Sequence, residues 1–135
     1  MQALALLLSG VGVLGLVVAA VASVFGGASP PTGTAIGTDY VTVEASAYGG
    51  VFVGRETACG ETLTDGARIV AHRTLACGTP LDLRLDGTTV SVTVGDRGPF
   101  VDGRELDLAP AVWSAFGYAS IAAFGVRPLG VRLAE

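Results

Sequence analysis

The chain of 135 residues has room for one domain, and its formal net charge is −4. An acidic pI of about 4.8 without a basic cluster gives no electrostatic footprint for nucleic acid or anionic lipid headgroups, which excludes both as partners of the folded part. Every formally charged side chain lies from Asp39 onward, which predicts a folded domain over residues 39–135.

The first 28 residues are predicted to form a signal peptide or a membrane anchor. Residues 3–25 are apolar and uncharged, and a helix of that length, at about 1.5 Å per residue, crosses a bilayer core of about 30 Å. Small residues at 20 and 22 and again at 26 and 28 offer two cleavage sites, so a secreted form and a form anchored by the uncleaved hydrophobic helix both stay open. Residues 29–38, rich in Pro, Gly and Thr, are predicted to be a linker. The domain is expected outside the cytoplasm, with membrane contact only through the N-terminal segment.

The domain is predicted to begin with a strand and a glycine loop. Residues 40–44 alternate apolar and polar side chains as a half-buried strand does, and the pair Gly49-Gly50 then marks a loop. Residues 69–71 are apolar and short, which is typical of a buried strand.

A β-hairpin is predicted in the middle of the domain. Residues 81–85 and 90–94 alternate with a period of two on either side of Asp86-Gly87, a dipeptide that favours a two-residue hairpin turn. The second strand leads directly into Asp96, so a rigid element is expected to present this carboxylate at the start of a loop.

A short helix and a closing strand are predicted near the C-terminal end. Pro110 near the first helical position and Gly117 after the last one bracket a helix over residues 110–116, with Asp107 placed to cap it. Residues 129–133 are the closing strand. Many short strands with one small helix, and no alternation of strands with long helices, favour an all-β barrel.

The two cysteines, Cys59 and Cys77, are predicted to form a disulfide because their number is even and the domain is expected in an oxidising compartment. On the chain-entropy model such a bridge stabilises the fold by about 3 kcal/mol. The alternative is a metal site with His72 as a third ligand, although the spacing matches no familiar zinc motif.

Titratable side chains on or beside the predicted loops form a candidate site. A lone histidine is more often a structural hydrogen-bonding residue than a catalyst, and single acidic residues are most often solvated. A set of carboxyl and imidazole groups is nevertheless what general acid–base chemistry requires. The hypothesis is that four side chains converge: Glu61, His72, Asp96 and Asp107.

Short motif blocks follow one another along the domain. They read ASAYG at residues 45–49, GRETACGE at 54–61, AHRTLACGT at 71–79, GDRGPF at 95–100 and GRELDL at 103–108. In this order they resemble the rare lipoprotein A family of bacterial cell-wall proteins over essentially all of residues 41–134. The resemblance implies a six-stranded double-psi β-barrel, a fold shared with expansins.

The family includes lytic transglycosylases, which cut peptidoglycan between N-acetylmuramic acid and N-acetylglucosamine and leave a 1,6-anhydro end. The resemblance implies that Asp96 serves as acid and then base, with His72 orienting it or holding sugar groups and Glu61 favouring its protonated form. Asp107 is a rival for the acid. The candidates for substrate binding are Tyr48, Arg97 and Asp107. The expected partner is a peptidoglycan glycan strand, bound by a monomer without a cofactor or metal.

An alternative function belongs to another class. A non-catalytic, expansin-like module that binds or loosens cell-wall polysaccharide would keep the fold and the groove but need no proton donor. The sequence also departs from the family after Glu61, since residues 62–64 lack the aromatic side chain that the family often carries there. Other aromatic side chains would then have to provide any stacking surface for a sugar.

Overall fold

The computed structural model of the chain describes residues 33–135. The predicted hydrophobic helix in residues 1–28, and most of the predicted linker, lie outside the described residues. Within residues 33–135, no helix combines the length and the apolar character that crossing a membrane requires.

Six strands close into a barrel, which confirms the predicted all-β fold. Their order around the barrel is β1-β5-β2-β4-β3-β6, and β6 returns to pair with β1. The strands are β1 Val41–Ala47, β2 Ile69–Ala71, β3 Pro80–Leu85, β4 Thr88–Asp96, β5 Arg104–Leu108 and β6 Arg127–Leu133. Two of the pairings, β1 with β5 and β2 with β4, are parallel, so the barrel is not a simple up-and-down meander.

The predicted hairpin is confirmed as the β3–β4 pair. Leu85 pairs with Thr88, and both turn residues between them have positive φ, 49° at Asp86 and 79° at Gly87. A two-residue turn with positive φ at both positions matches the twist of the flanking strands, and Asp-Gly tolerates it well. The turn therefore fixes the register with which β4 reaches the site.

The core fills the interior of the barrel with alternating side chains from the strands. On β4 the inward residues Val90, Val92 and Val94 are buried while their neighbours Ser91 and Thr93 are exposed. This is the pattern of a strand with one face in the core. Leucines of β3 and β5 pack against them, so the frame that holds the loops is apolar.

Two short helices, rather than the single one predicted, follow β5. The first, α1, spans Pro110–Ala115 and lies within the predicted range, and the second, α2, spans Ile121–Phe124. The Ser120 side chain caps α2 by accepting a hydrogen bond from the Ala123 backbone N–H at 3.0 Å. A further turn of 3₁₀ helix spans Gly50–Phe52.

The predicted capping role of Asp107 is wrong. The N-cap of α1 is Ala109, which makes no side-chain capping bond, and Asp107 still belongs to β5. The strand continues through Leu108, so Asp107 lies too early in the chain to reach the first turn. Pro110, at the first position of α1, has no backbone N–H, so one of the N–H groups that lack an intrahelical partner is absent there.

Residues 33–38 contact the barrel, although their composition predicts a linker. The backbone N–H of Thr34 donates to Glu105 Oε1 at 3.1 Å, and the N–H of Leu133 donates to the Gly37 carbonyl at 2.7 Å. Ile36 packs against the core. The segment before β1 is therefore held beside the end of β6.

Candidate active site

Asp96 is the last residue of β4, and its half-buried side chain faces a groove. Oδ1 of its carboxylate accepts hydrogen bonds from the backbone N–H groups of Ala58 at 3.0 Å and Arg97 at 2.8 Å. Oδ2 accepts no well-formed hydrogen bond from any residue of the described range 33–135. One oxygen is thus fixed by the backbone, and the other is available to a ligand.

The groove beside Asp96 has a volume of about 240 Å³. Its other lining residues are Phe52, Arg55, Glu56, Thr57 and Leu63. The Phe52 side chain is 51% exposed, which leaves an apolar aromatic surface at the groove. The Thr57 hydroxyl is buried and has no hydrogen-bond partner among the described residues. A ligand in this groove therefore meets an aromatic surface, an unpaired hydroxyl and a carboxylate.

The Arg97 side chain extends away from the neighbouring carboxylate. Its guanidinium donates to the backbone carbonyls of His72 at 3.1 Å and Leu75 at 2.5 Å, and it contacts Cys77 Sγ at 3.3 Å. Adjacent side chains in an extended segment point to opposite sides, which accounts for the separation. Arg97 therefore anchors the loop after β2 and forms no ion pair with Asp96.

The buried hydroxyl of Tyr48 is influenced by the negative charges of three carboxylates. Burial has the largest effect and raises the pKa of Tyr48 well above its ordinary value. The negative charges of Asp96, Asp107 and Glu61 act in the same direction. The hydroxyl has no well-formed hydrogen bond among the described residues, although the Asp96 side chain is near enough to accept one. The Tyr48 hydroxyl is thus within the electrostatic influence of three of the predicted site residues.

Glu61 reaches this region because residue 95 has no side chain. A Cβ on Gly95 would lie 2.4 Å from Glu61 Oε1 and 2.7 Å from a methyl carbon of Ile69. Contacts that short do not occur in real structures. Glycine before Asp96 is therefore a packing requirement, and it lets the exposed Glu61 place its carboxylate over the end of β4.

Asp107 approaches from β5 and is held by the buried Ser46. The Ser46 hydroxyl donates a short hydrogen bond to Asp107 Oδ1. The parallel pairing of β1 with β5 puts these two residues in register. Asp107 is thus fixed by Ser46, and it is not among the residues that line the groove.

The His72 ring belongs to a different cluster from the Asp96 carboxylate. Its Nδ1 accepts hydrogen bonds from the backbone N–H groups of Thr74 at 3.1 Å and Leu75 at 3.0 Å. Its Nε2 lies 3.4 Å from Oε2 of Glu105, whose other oxygen pairs with Arg73 at 3.0 Å. The link to Asp96 runs through the backbone, where the His72 N–H donates to the Asp96 carbonyl at 3.2 Å.

His72 is expected to make the stability of the fold depend on pH. Burial has the largest effect and lowers the pKa of His72; Glu105 opposes the shift, whereas Arg73 and Arg97 add to it. The unfolded chain, with an ordinary pKa of about 6.5, then binds the proton first as the pH falls. We expect the free energy of unfolding to be fully retained above pH 6.5 and to decrease as the pH falls below it.

Thermal unfolding between pH 8 and pH 5 tests this dependence. In the variant His72→Asn the side chain does not titrate, and its oxygen can replace Nδ1 as an acceptor for the two backbone N–H groups. The decrease in melting temperature between pH 7 and pH 5.5 should be smaller in the variant. An identical decrease in both proteins would show that other groups cause it.

The predicted disulfide is confirmed: Cys59 and Cys77 are bonded, with their Cα atoms 5.8 Å apart. The bridge connects the loop that carries Ala58 and Glu61 to the loop after β2. Both cysteines are therefore unavailable as metal ligands. No group of three or more His, Cys, Asp or Glu side chains within residues 33–135 is placed to hold a metal ion.

Some residues of the site are not apparent from the sequence. The N–H group of Ala58 is a backbone donor, and any residue type there would supply it. Phe52 and Thr57 are ordinary loop residues whose position at the groove depends on the fold. Ser46 occupies the next polar position of the alternation in β1 after Thr42 and Glu44, so the sequence does not distinguish it either.

The chain matches a family model described as lytic transglycolase over residues 40–129. It is 46% identical over 79 residues to the probable endolytic peptidoglycan transglycosylase RlpA of Synechocystis sp.. The aligned segment covers 56% of this chain and 24% of that protein. It is 44% identical over 80 residues to the protein of the same description from Aquifex aeolicus, with coverages of 58% and 35%.

A relative from Campylobacter jejuni, the endolytic peptidoglycan transglycosylase RlpA, is 41% identical over 81 residues, which is 58% of this chain and 29% of that protein. The match thus spans about a quarter to a third of the length of these three relatives. Among solved structures, the chain is similar to the Streptomyces papain inhibitor, with a TM-score of 0.54 and 22% identity over 72% of this chain and 96% of the other. That similarity supports the barrel fold alone.

Proposed function

The chain belongs to the lytic transglycolase family, and from this premise we propose that it is a peptidoglycan lytic transglycosylase. Its substrate is the glycan strand, cut between N-acetylmuramic acid and N-acetylglucosamine with formation of a 1,6-anhydro end. The observation that carries the proposal is the Asp96 carboxylate, whose Oδ1 is held by two backbone N–H groups while Oδ2 is left for a ligand in the groove.

In the first step Asp96 acts as a general acid. The protonated carboxyl transfers its proton from Oδ2 to the glycosidic oxygen as the bond between that oxygen and C1 breaks. Positive charge develops at C1 of the muramic acid ring, as in other glycosidic cleavages. A nearby negative charge and a site from which substrate excludes water both favour the neutral form of a carboxyl group before this step.

In the second step the same carboxylate acts as a general base. It takes the proton from the C6 hydroxyl of the muramic acid ring, and O6 bonds to C1. The ring closes without a water molecule, and Asp96 regains its proton. One carboxyl group therefore suffices, whereas a hydrolytic glycosidase divides the work between two.

The remaining site residues support Asp96 in this proposal. Glu61 supplies negative charge beside the end of β4, and Phe52 provides the aromatic surface on which a sugar ring stacks. The His72 ring holds the backbone N–H groups of Thr74 and Leu75, and the His72 backbone N–H donates to the Asp96 carbonyl. Arg97 acts through the loop it anchors, because its guanidinium faces carbonyl oxygens.

The location and partners follow from the substrate. Peptidoglycan lies outside the cytoplasm, and the disulfide is the kind of bond that persists in that compartment. In this proposal the N-terminal hydrophobic segment exports the barrel and either is cleaved or retains it at the membrane. The partner is a glycan strand of the cell wall, bound by a single copy of the chain.

Product analysis tests the proposal. Purified protein incubated with isolated peptidoglycan should release fragments that end in 1,6-anhydromuramic acid, identified by mass spectrometry. A parallel digestion uses glycan strands from which the stem peptides have been removed. Cosedimentation with the wall but no anhydro product from either substrate would overturn the enzymatic function and support an expansin-like binding module.

A further inference from the structure

The groove beside Asp96 has a buried polar side chain, Thr57, that the two proton transfers do not use. Its hydroxyl forms no hydrogen bond with any residue of the described range 33–135. Thr57 is only 9% exposed, yet it lines the groove. We propose that Thr57 is a specificity-determining residue, whose hydroxyl donates a hydrogen bond to the carbonyl oxygen of an N-acetyl group on the glycan strand. The inference rests on the proposed function and adds to it a substrate group that the site recognises.

The backbone holds Thr57 at a fixed place close to Asp96. The Thr57 N–H donates to the Glu61 carbonyl at 2.7 Å, and the Thr57 carbonyl accepts from the Gly60 N–H at 3.0 Å. The next residue, Ala58, donates its N–H to Asp96 Oδ1 at 3.0 Å. Adjacent Cα atoms are about 3.8 Å apart, so the substituents of a sugar bound at Asp96 are within reach of Thr57.

The hydroxyl is the free polar group of Thr57, because both of its backbone groups are paired. Threonine hydroxyls in loops commonly bond to nearby backbone, and a buried hydroxyl that is left unpaired lowers stability. An unpaired group of this kind in a native fold requires an explanation, and a partner that arrives with a ligand is one. The hydroxyl turns between staggered positions about the Cα–Cβ bond, so it can meet a substrate group placed against Thr57.

The surroundings of the hydroxyl fit an N-acetyl group better than a ring hydroxyl. Leu63 lines the same groove, and the exposed Phe52 ring adds a second apolar surface. An acetamido substituent has an apolar methyl group beside a carbonyl acceptor, so it suits both the apolar wall and the hydroxyl. A ring hydroxyl has no apolar part and would lose water against Leu63 and Phe52. Both sugars of the glycan carry the substituent, so the recognised group belongs to a sugar next to the bond that is cut.

The variant Thr57→Val tests this role, because valine keeps the shape of the side chain and removes the hydroxyl. The probes are soluble glycan strands without stem peptides, used before and after enzymatic de-N-acetylation. Isothermal titration calorimetry gives the two dissociation constants, with Asp96→Asn in every protein to prevent cleavage. De-N-acetylation leaves a charged amino group, so the ratio of the two constants is compared between proteins, where the effect of that charge cancels.

We expect the preference for acetylated strands to fall about 3- to 10-fold in Thr57→Val, the loss of one neutral hydrogen bond. Thr57→Ala also removes the hydroxyl and should give the same change, whereas Thr57→Ser keeps it and should retain the preference. The control makes the same substitution at Thr89, an exposed residue at the opposite end of β4 from Asp96. Thr89→Val should leave the ratio unaltered.

The melting temperature separates recognition from a structural role. Because the hydroxyl is unpaired in the free protein, Thr57→Val should be at least as stable as the protein that keeps threonine. A hydroxyl that supports the loop would instead give a less stable variant with an unchanged ratio of dissociation constants, and that result would overturn the inference. The ratio decides between the two roles, since it is measured on folded protein.

The two proposals fail in different ways, because the binding measurement needs no catalysis. If wild-type protein yields no anhydro product but the ratio changes in Thr57→Val, only the proposed enzymatic function fails. If the wild type is active and the ratio is the same with valine as with threonine, the role of Thr57 is wrong. With neither an anhydro product nor a change in the ratio, both proposals are wrong.

Discussion

Replacing Asp96 with Asn is expected to lower the rate of glycan cleavage by about 10³-fold or more, since in the proposed mechanism one carboxyl group carries both proton transfers. The amide has neither a proton to donate at a useful pKa nor the basicity to accept one. The side-chain oxygen of Asn can still accept from the N–H groups of Ala58 and Arg97, so the loop should keep its conformation. Release of 1,6-anhydro fragments, followed over time, measures the loss.

Two further variants make this result specific. Asp102→Asn applies the same chemical change to an exposed residue in the turn that follows, and it should retain wild-type activity. Asp107→Asn tests the rival acid. If Asp96→Asn stays active while Asp107→Asn does not, the acid role belongs to Asp107 and the groove assigned here is not where cleavage occurs. Matching melting temperatures would show that the losses are not due to unfolding.

Of the substitutions discussed, removing the Cys59–Cys77 disulfide is expected to lower the free energy of unfolding the most. The bond joins residues 18 positions apart, and on the chain-entropy model the free energy of unfolding should fall by about 3 kcal/mol in Cys59→Ala/Cys77→Ala. Cys77 is exposed and Cys59 is only half-buried, so little packing is lost with the sulfur atoms. Urea denaturation of the two proteins measures the difference.

The same double variant should also lose more activity than the decrease in the amount of folded protein accounts for. Ala58, which donates to Asp96, is next to Cys59, and Arg97, which anchors the facing loop, contacts Cys77. A small displacement of a catalytic group is costly, so we expect kcat to fall about tenfold in the folded double variant. A loss of stability below about 1 kcal/mol with unchanged kcat would mean that the bridge is dispensable for both.

Local features of the sequence predicted the barrel well. The hairpin follows from strict alternation and from the Asp86-Gly87 turn, both of which act over a few residues. The Pro110 start of α1 is likewise a local signal. The helix α2 was missed because its four residues complete only one turn, and so short a segment shows no helical periodicity.

The geometry of the candidate site could not be predicted in the same way. Tyr48 follows β1, Glu61 lies on a loop and Asp107 belongs to β5. The parallel pairing of β1 with β5 joins residues distant in sequence and depends on the whole barrel. The sequence grouped His72 with Asp96 because both titrate. The fold instead turns the His72 ring toward Glu105, a residue that occupies an alternating position of an ordinary strand and carries no distinguishing signal.

The first and last strands pair and close the barrel, so the domain can form one part of a longer polypeptide. Val41 pairs with Val131, and the Gly37 carbonyl accepts from the Leu133 N–H, so the polypeptide enters and leaves the barrel side by side. Such a unit can be inserted into a longer polypeptide through one point of attachment, without opening a strand pairing. In the Synechocystis and Aquifex relatives the matched segment is 24% and 35% of the protein, which is how such a module is carried within larger architectures.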